Sequence, residues 1–199
     1  MIEIEEDILN RSTIPERERV FFEAIIFCIR AINISYNRLT SYLEKCTQKE
    51  PIMSVVWSLI DNLYRLECLL VKTPKLKQKE NWFQIFIRKL KEVEEFRHVI
   101  QHFDREIKNI FLRVQPLLGH LSWVDLSKDK KEIKLFVPCC VRLYKNLPMV
   151  NPVGKKINYR IDLVTYYLLN NEIKLSDIYY SLVKFANEFK NFIELKYDR

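Results

Sequence analysis

Hydrophobic residues recur along the first part of the chain at the spacing of long amphipathic helices. A helix is predicted to begin in segment 13–16, where Thr13 offers an N-cap and Pro15 suits a first turn. The seam positions that follow alternate by four and three residues, which predicts packing along the whole helix. They are Phe21, Ile25, Cys28, Ile32, Ser35, Leu39, Tyr42 and Cys46.

Two further helices are predicted from the same alternation. One runs from Pro51 to near Thr73 and Pro74, and the other covers residues 80–115 and ends before Pro116. The seam of the second helix is Ile52, Val56, Leu59, Leu63, Leu66 and Leu70. The seam of the third helix is Phe86, Leu90, Val93, Ile100, Ile107, Phe111 and Val114.

The seam of the third helix is polar in its middle. Arg97 and Asp104 occupy two positions of its seven-residue register, while Phe96 and Phe103 continue apolar contacts on the adjacent stripe. The helix is therefore predicted to remain continuous and packed while it turns these polar groups toward a partner surface.

Beyond Pro116 the pattern changes to β-branched and aromatic runs separated by turn-forming residues, which predicts a small antiparallel β-meander. The runs cover residues 119–126, 132–144, 160–169 and 171–175. Ser176 with Asp177 is a candidate N-cap for a last helix over residues 176–195.

The predicted fold is mainly α: a bundle of three long helices plus a C-terminal helix, with the meander between them, α+β overall. We expect one domain over residues 1–199. Residues 1–116 form its helical part, and residues 117–199 form a strand-containing appendage and the last helix.

Composition and charge narrow the class of protein. With 48% hydrophobic and 30% charged residues, the chain can bury enough apolar surface to fold. The net charge of +7, partly concentrated in residues 72–79 and 127–134, favours an anionic partner such as nucleic acid, although lysine-rich loops also promote solubility.

The N-terminus and the cysteines favour a cytoplasmic protein. The first nine residues are acidic and the apolar run around Glu23 is short, so neither a signal peptide nor a membrane-spanning helix is expected. The cysteines are odd in number and lack CxxC spacing, which indicates a reducing compartment. They are Cys28, Cys46, Cys68, Cys139 and Cys140.

Candidate chemistry converges in residues 94–107, which hold two of the three histidines. At about 100° per residue, Arg97, Gln101 and Asp104 share one helix face, and His98 and His102 lie one turn apart on the adjoining face. A histidine can transfer protons near neutral pH, and an arginine can bind a phosphate. Together they suffice for metal-free RNA cleavage, especially if a symmetric dimer brings two copies together.

Residues 97–102, Arg-His-Val-Ile-Gln-His, resemble the Arg-(polar)-x-x-x-His motif of the HEPN superfamily (higher eukaryotes and prokaryotes nucleotide-binding). The resemblance covers the helical part only. It implies a small helical bundle and, in active members, a metal-independent endoribonuclease with a composite site at a homodimer interface. Such members include toxins and phage-defence effectors. RNA is then the partner, with a cognate inhibitor protein as a further expected one, and no cofactor or metal is implied.

The resemblance assigns roles by position. Arg97 is the phosphate-contacting arginine, His98 the polar residue after it and His102 the catalytic histidine. Some HEPN toxins carry a tyrosine two residues after this histidine, where the present chain has Asp104. The residues expected to bind substrate or orient the site are Glu94, Gln101, Asp104, Asp61 and Arg65.

Other interpretations of the same residues stay open. His98 and His102 could bind a metal together with a nearby carboxylate. Arg97 and Asp104 could pair with Asp61 and Arg65 of the second helix and only fix helix register. The segment could also serve a non-catalytic module that dimerises or binds RNA or a partner.

Residues outside this segment are expected to be structural. His120 is expected in a loop before the strands. The three tryptophans and one pair of adjacent tyrosines are expected in the core or an interface. They are Trp57, Trp82, Trp123, Tyr179 and Tyr180.

Overall fold

The computed structural model describes residues 6–9, 13–45, 49–73, 81–112, 116–127, 130–138 and 146–197. Within them, a short 3-10 helix (Glu6–Leu9) precedes α1 (Glu16–Lys45), α2 (Lys49–Lys72), α3 (Asn81–Gln101) and α4 (Phe103–Leu112). The strands β1 (His120–Ser127), β2 (Lys130–Phe136), β3 (Ile161–Leu168) and β4 (Asn171–Lys174) follow, and α5 (Leu175–Tyr197) ends the fold. The predicted mainly helical α+β class is confirmed. Cys46, Cys139, Cys140, Val114 and residues 74–79 lie outside the described residues.

The predicted seams form the core. All six seam residues of α2 are buried, as are Phe86, Leu90 and Val93 of α3. In α1 the seam residues from Ile25 to Leu39 are buried. Apart from Ser35, these side chains belong to one hydrophobic cluster that continues into α5 and the sheet. Burial at this spacing is what stabilises helices of this length.

Two predicted helix caps have other partners. The hydroxyl of Thr13 donates to the carbonyl of Tyr197 over 2.7 Å, so it ties the start of α1 to the end of α5. Ser176 Oγ accepts the amide hydrogen of Val164 and lies 2.8 Å from the hydroxyl of Tyr36. Both hydroxyls therefore form hydrogen bonds with other elements of the fold, because buried polar groups need hydrogen-bond partners.

The third predicted helix is not continuous. It ends at Gln101, and α4 begins at Phe103 after a turn at His102, whose carbonyl accepts the amide hydrogen of Arg105. The seam residues near this break are only partly buried, since Ile100 is half-buried and Ile107 is 43% exposed. Without a neighbouring helix, packing no longer holds the helix in one piece.

Phe96 and Phe103 do continue apolar contacts as predicted. The ring of Phe96 is buried beside Tyr166, and that of Phe103 lies 6.2 Å from Trp57 of α2. The start of α4 is therefore attached to the helical body.

The four strands form an antiparallel sheet in the order β2-β1-β3-β4, which corrects the sequential order of a meander. The connection from β2 to β3 crosses β1, and its Val150 and Ile157 pack on Val124 and Leu163. All eight residues of β3 are buried because α5 contacts the strand as well. A central strand covered on both sides explains the apolar sequence of this segment.

A β-bulge interrupts the pairing of β3 with β1. Leu163 and Val164 face the single residue Trp123, and Leu163 adopts a left-handed φ of 53°. This conformation is unfavourable for a branched residue by about 1–2 kcal/mol. The amide of Leu163 donates to Asp162 Oδ1 over 2.6 Å, so a buried carboxylate stabilises the bulge.

By length and composition alone α1 could cross a membrane, although half of its most apolar window is buried in the fold. A core helix of a soluble protein passes the same test, so the absence of a membrane-spanning helix stays a prediction. Cys28 is a buried free thiol and Cys68 is a half-buried one.

His120 is the first residue of β1 and is buried, which corrects its placement in a loop. Its ring stacks on Tyr167 at 4.6 Å between centroids, and its Nε2 lies 2.9 Å from the carbonyl oxygen of Pro148. Burial lowers the pKa of His120 below its ordinary value of 6.5, and the hydrogen bond to Pro148 opposes part of that effect. The folded protein therefore favours the neutral form of the His120 ring.

We predict that the free energy of unfolding decreases as the pH falls below the ordinary histidine pKa of about 6.5, because only the unfolded chain then binds the proton readily. The stability contributed by neutral His120 is complete above that pH and is lost as the pH falls through its lowered folded pKa. Denaturant unfolding between about pH 7.5 and pH 5.5 measures it. His120→Gln should flatten this dependence, whereas the exposed-site control His98→Gln should keep it. Equal slopes in wild type and His120→Gln contradict the assignment.

Candidate functional site

Arg97 lies at the contact between α3 and α2. Its Nε is 3.5 Å from Oδ1 of Asp61, and its guanidinium lies 4.0 Å from the ring centroid of Tyr64. The side chain is 27% exposed. A cation over an aromatic face and beside a carboxylate is held in position while part of it stays accessible.

Asp61 connects two arginines. Its Oδ2 accepts a 2.7 Å hydrogen bond from Nε of Arg65, whose side chain is 66% exposed, while Oδ1 faces Arg97. The sequence left open whether Asp61 and Arg65 orient the site or only pair with Arg97 and fix helix register. Asp61 takes part in both contacts, because residues one turn apart on α2 face the same side.

His98 and His102 lie one turn apart, and His98 directly follows Arg97 in the sequence. Their ring centroids are separated by 4.7 Å at an interplanar angle of 61°. His98 is exposed and His102 is half-exposed. His102 is also the turn residue between α3 and α4, so the helix break and the histidine pair coincide.

Three other predicted residues lie at the surface of α3 and α4. Glu94, Gln101 and Asp104 are exposed, and Asp104 lies beyond the break on α4. The face that Arg97, Gln101 and Asp104 share in a straight helix is therefore interrupted. Of the two polar seam residues, Arg97 alone has a charged partner on α2 among those that the structure describes.

Tyr64, Glu67 and Cys68 of α2 were missed by sequence reasoning. A hydrogen bond with Cys68 is the main cause that raises the pKa of Tyr64, and Arg97 opposes the rise. Burial, followed by the nearby charge of Glu94, raises the pKa of Glu67. With Asp61, these residues follow a spacing of three and four along α2. A polar stripe at this spacing is the signal that could have revealed them.

Residues 97–102 thus provide one positioned guanidinium, that of Arg97, and two accessible imidazoles, those of His98 and His102. The guanidinium can bind a phosphate and the imidazoles can transfer protons, which are the groups that general acid–base cleavage of a phosphodiester needs. No group of three His, Cys, Asp or Glu side chains suited to a metal ion occurs among the residues described.

Comparisons with protein-family models, with curated proteins and with solved structures give no match to this chain. The likeness to HEPN domains consequently rests on residues 97–102 and their setting, and it enters below as a proposal.

We predict that Arg97→Leu leaves the free energy of unfolding unchanged or raises it by up to about 1 kcal/mol, because Asp61 keeps Arg65 as its partner. Asp61→Asn should lower it by about 1 kcal/mol, since the half-buried guanidinium then loses its carboxylate. Denaturant unfolding measures both, with Arg65→Leu as a matched control of little expected effect. A larger loss for Arg97→Leu than for Asp61→Asn contradicts this view and makes Arg97 a structural residue.

Proposed function

We propose that this protein is a HEPN-like, metal-independent endoribonuclease. The observation that carries the proposal is the pair of accessible histidines beside an arginine that Asp61 and Tyr64 hold in place. Packing does not explain the two imidazoles, since His98 is exposed and His102 is half-exposed. A net charge of +7 supports an anionic substrate.

In the proposed reaction the ribose 2′-oxygen attacks the adjacent phosphorus and the bond to the 5′-oxygen breaks. One histidine removes the proton of the 2′-hydroxyl, and another donates a proton to the departing 5′-oxygen. Arg97 binds the phosphoryl oxygens, on which negative charge builds in the transition state. The products are a 2′,3′-cyclic phosphate and a 5′-hydroxyl.

We propose that the active form is a homodimer in which two copies of residues 97–102 face each other across a two-fold axis. One copy of residues 97–102 presents a single arginine and two histidines, whereas a dimer surrounds one phosphate with twice that number. A toxin or antiviral effector, controlled by a cognate inhibitor, is the biological role proposed with this activity.

The purified protein should cleave single-stranded RNA in the presence of EDTA. His102→Ala should lower the cleavage rate roughly 10²- to 10⁴-fold through loss of proton transfer. Arg97→Ala should lower it roughly 10²- to 10³-fold through loss of charge stabilisation. Gel electrophoresis of end-labelled RNA measures these rates.

The matched control is Arg88→Ala, which removes an exposed arginine from the same helix and should keep the wild-type rate. Circular dichroism verifies that each variant is folded. RNA that stays intact with the wild-type protein, or a His102→Ala variant as active as wild type, contradicts the proposal. A protein that binds RNA and dimerises through this segment without cleavage is then the non-catalytic alternative.

A further inference from the structure

A cleft of about 560 Å³ opens between α1, α5 and the chain segment before β3. Four tyrosines line it, Tyr36 from α1, Tyr159 from the segment before β3, and Tyr179 and Tyr180 from α5, and we call it the tyrosine cleft. None of the residues assigned to the proposed ribonuclease site lines it.

The hydroxyls of Tyr36, Tyr179 and Tyr180 form hydrogen bonds with buried partners. Tyr180 donates to Asp162 Oδ1 over 2.5 Å, and Tyr179 donates to Asn33 Oδ1 over 2.6 Å. The hydroxyl of Tyr36 is hydrogen-bonded to Oγ of Ser176. Asp162 and Ser176 are also the acceptors for the two amides at the bulge, so the bulge of β3 positions these rings.

Because burial raises the pKa of Tyr36 and of Tyr180, both hydroxyls stay protonated in these hydrogen bonds. The cleft therefore presents ring faces more than free hydroxyl groups. This favours a flat ligand over a carbohydrate, whose hydroxyls need free polar partners.

The rings are arranged as stacked pairs. Tyr36 and Tyr179 lie 3.9 Å apart with an interplanar angle of 13°, and Tyr159 stacks on Tyr180 at 5.5 Å and 27°. Tyr159 is 61% exposed, so one of its faces rests on Tyr180 while the rest of the ring stays open to a ligand. A fixed aromatic face of this kind binds a base without a large loss of side-chain entropy.

Three cationic residues lie close to Tyr159 in the sequence, and one of them, Arg160, lines the cleft. Arg160 follows Tyr159 directly, and Lys155 and Lys156 are exposed on the same segment. The guanidinium of Arg160 pairs with Glu44 at the cleft and lies 3.8 Å from the buried Asp125. Residues 151–160 contain no acidic side chain, so the carboxylates that oppose this positive charge, Glu44 and Asp125, come from α1 and β1.

We propose that the tyrosine cleft binds an unpaired base of single-stranded RNA, with the base stacked on Tyr159 and the adjoining phosphate paired with Arg160. Stacking on tyrosine tolerates any base, and an arginine beside it follows the backbone. A duplex offers no free base face, so it is not a ligand of the cleft. The proposal rests on the proposed ribonuclease only for the choice of RNA as the strand.

The test is fluorescence anisotropy with the full chain and a labelled 2′-O-methyl oligoribonucleotide of about ten nucleotides. This probe has no free 2′-hydroxyl, so binding is measured without cleavage. Tyr159→Ala should weaken binding roughly 5- to 150-fold, the effect of one lost base stack. Tyr159→Trp should restore it, because a larger aromatic face replaces the tyrosine.

Charge variants examine the phosphate contact independently. Arg160→Ala should weaken binding and reduce the slope of log affinity against log salt by about 0.7. Glu44→Gln should strengthen binding, because it removes one of the two carboxylates that pair with Arg160. The control Phe27→Ala removes a 69% exposed aromatic ring from α1, roughly two and a half turns before Tyr36, and should leave affinity unchanged.

Affinity of Tyr159→Ala within a factor of about two of wild type overturns the proposal. Equal weakening by Tyr159→Ala and Tyr159→Trp overturns it as well, as does equal binding of duplex RNA or binding of a proline-rich peptide in place of the oligonucleotide.

The ribonuclease proposal and the cleft proposal can be contradicted independently. If RNA stays intact in EDTA but its binding depends on Tyr159, only the ribonuclease proposal is contradicted. If RNA is cleaved efficiently but its binding does not depend on Tyr159, only the cleft proposal is contradicted.

Discussion

A guanidinium placed in an apolar helix seam requires partners on the facing helix, and this constraint shapes the contact between α2 and α3. Up to Val93 the two helices meet through buried aliphatic and aromatic side chains. At Arg97 the contact becomes polar, and Asp61 and Tyr64 supply a carboxylate and a ring face. Beyond that point the seam loses its cover and the helix breaks at His102. The histidine pair stays accessible because the packing ends beside it.

The bulge of β3 follows a similar logic. Leu163 adopts an unfavourable backbone conformation, and two amides leave the regular ladder. Asp162 and Ser176 accept those amide hydrogens, and each also binds a tyrosine hydroxyl. In both places polar side chains provide partners for groups that are unfavourable in their surroundings: the guanidinium of Arg97 and the two amides at the bulge. Those side chains in turn fix the positions of groups at the surface.

The helices and strands follow from local pattern, since apolar spacing alone predicts α1, α2, α5 and the four strands. What pattern could not provide depends on contacts distant in sequence. The break at His102 arises from missing cover, and the partners of Thr13 and Ser176 lie far along the chain. Arg97, His98 and His102 stood out because polar residues interrupt or flank a seam. Tyr159 and Tyr180 did not, because a tyrosine in a surface cleft and one in a core have the same sequence pattern.

The most direct test of the central claim is the dependence of cleavage on the ribose 2′-hydroxyl. An RNA with a single 2′-deoxy substitution at its mapped cleavage site is compared with the unmodified RNA in EDTA. We expect the unmodified RNA to yield 2′,3′-cyclic phosphate and 5′-hydroxyl ends and the substituted RNA to resist cleavage at that site. Equal cleavage of both RNAs, or an unmodified RNA that stays intact, contradicts the claim.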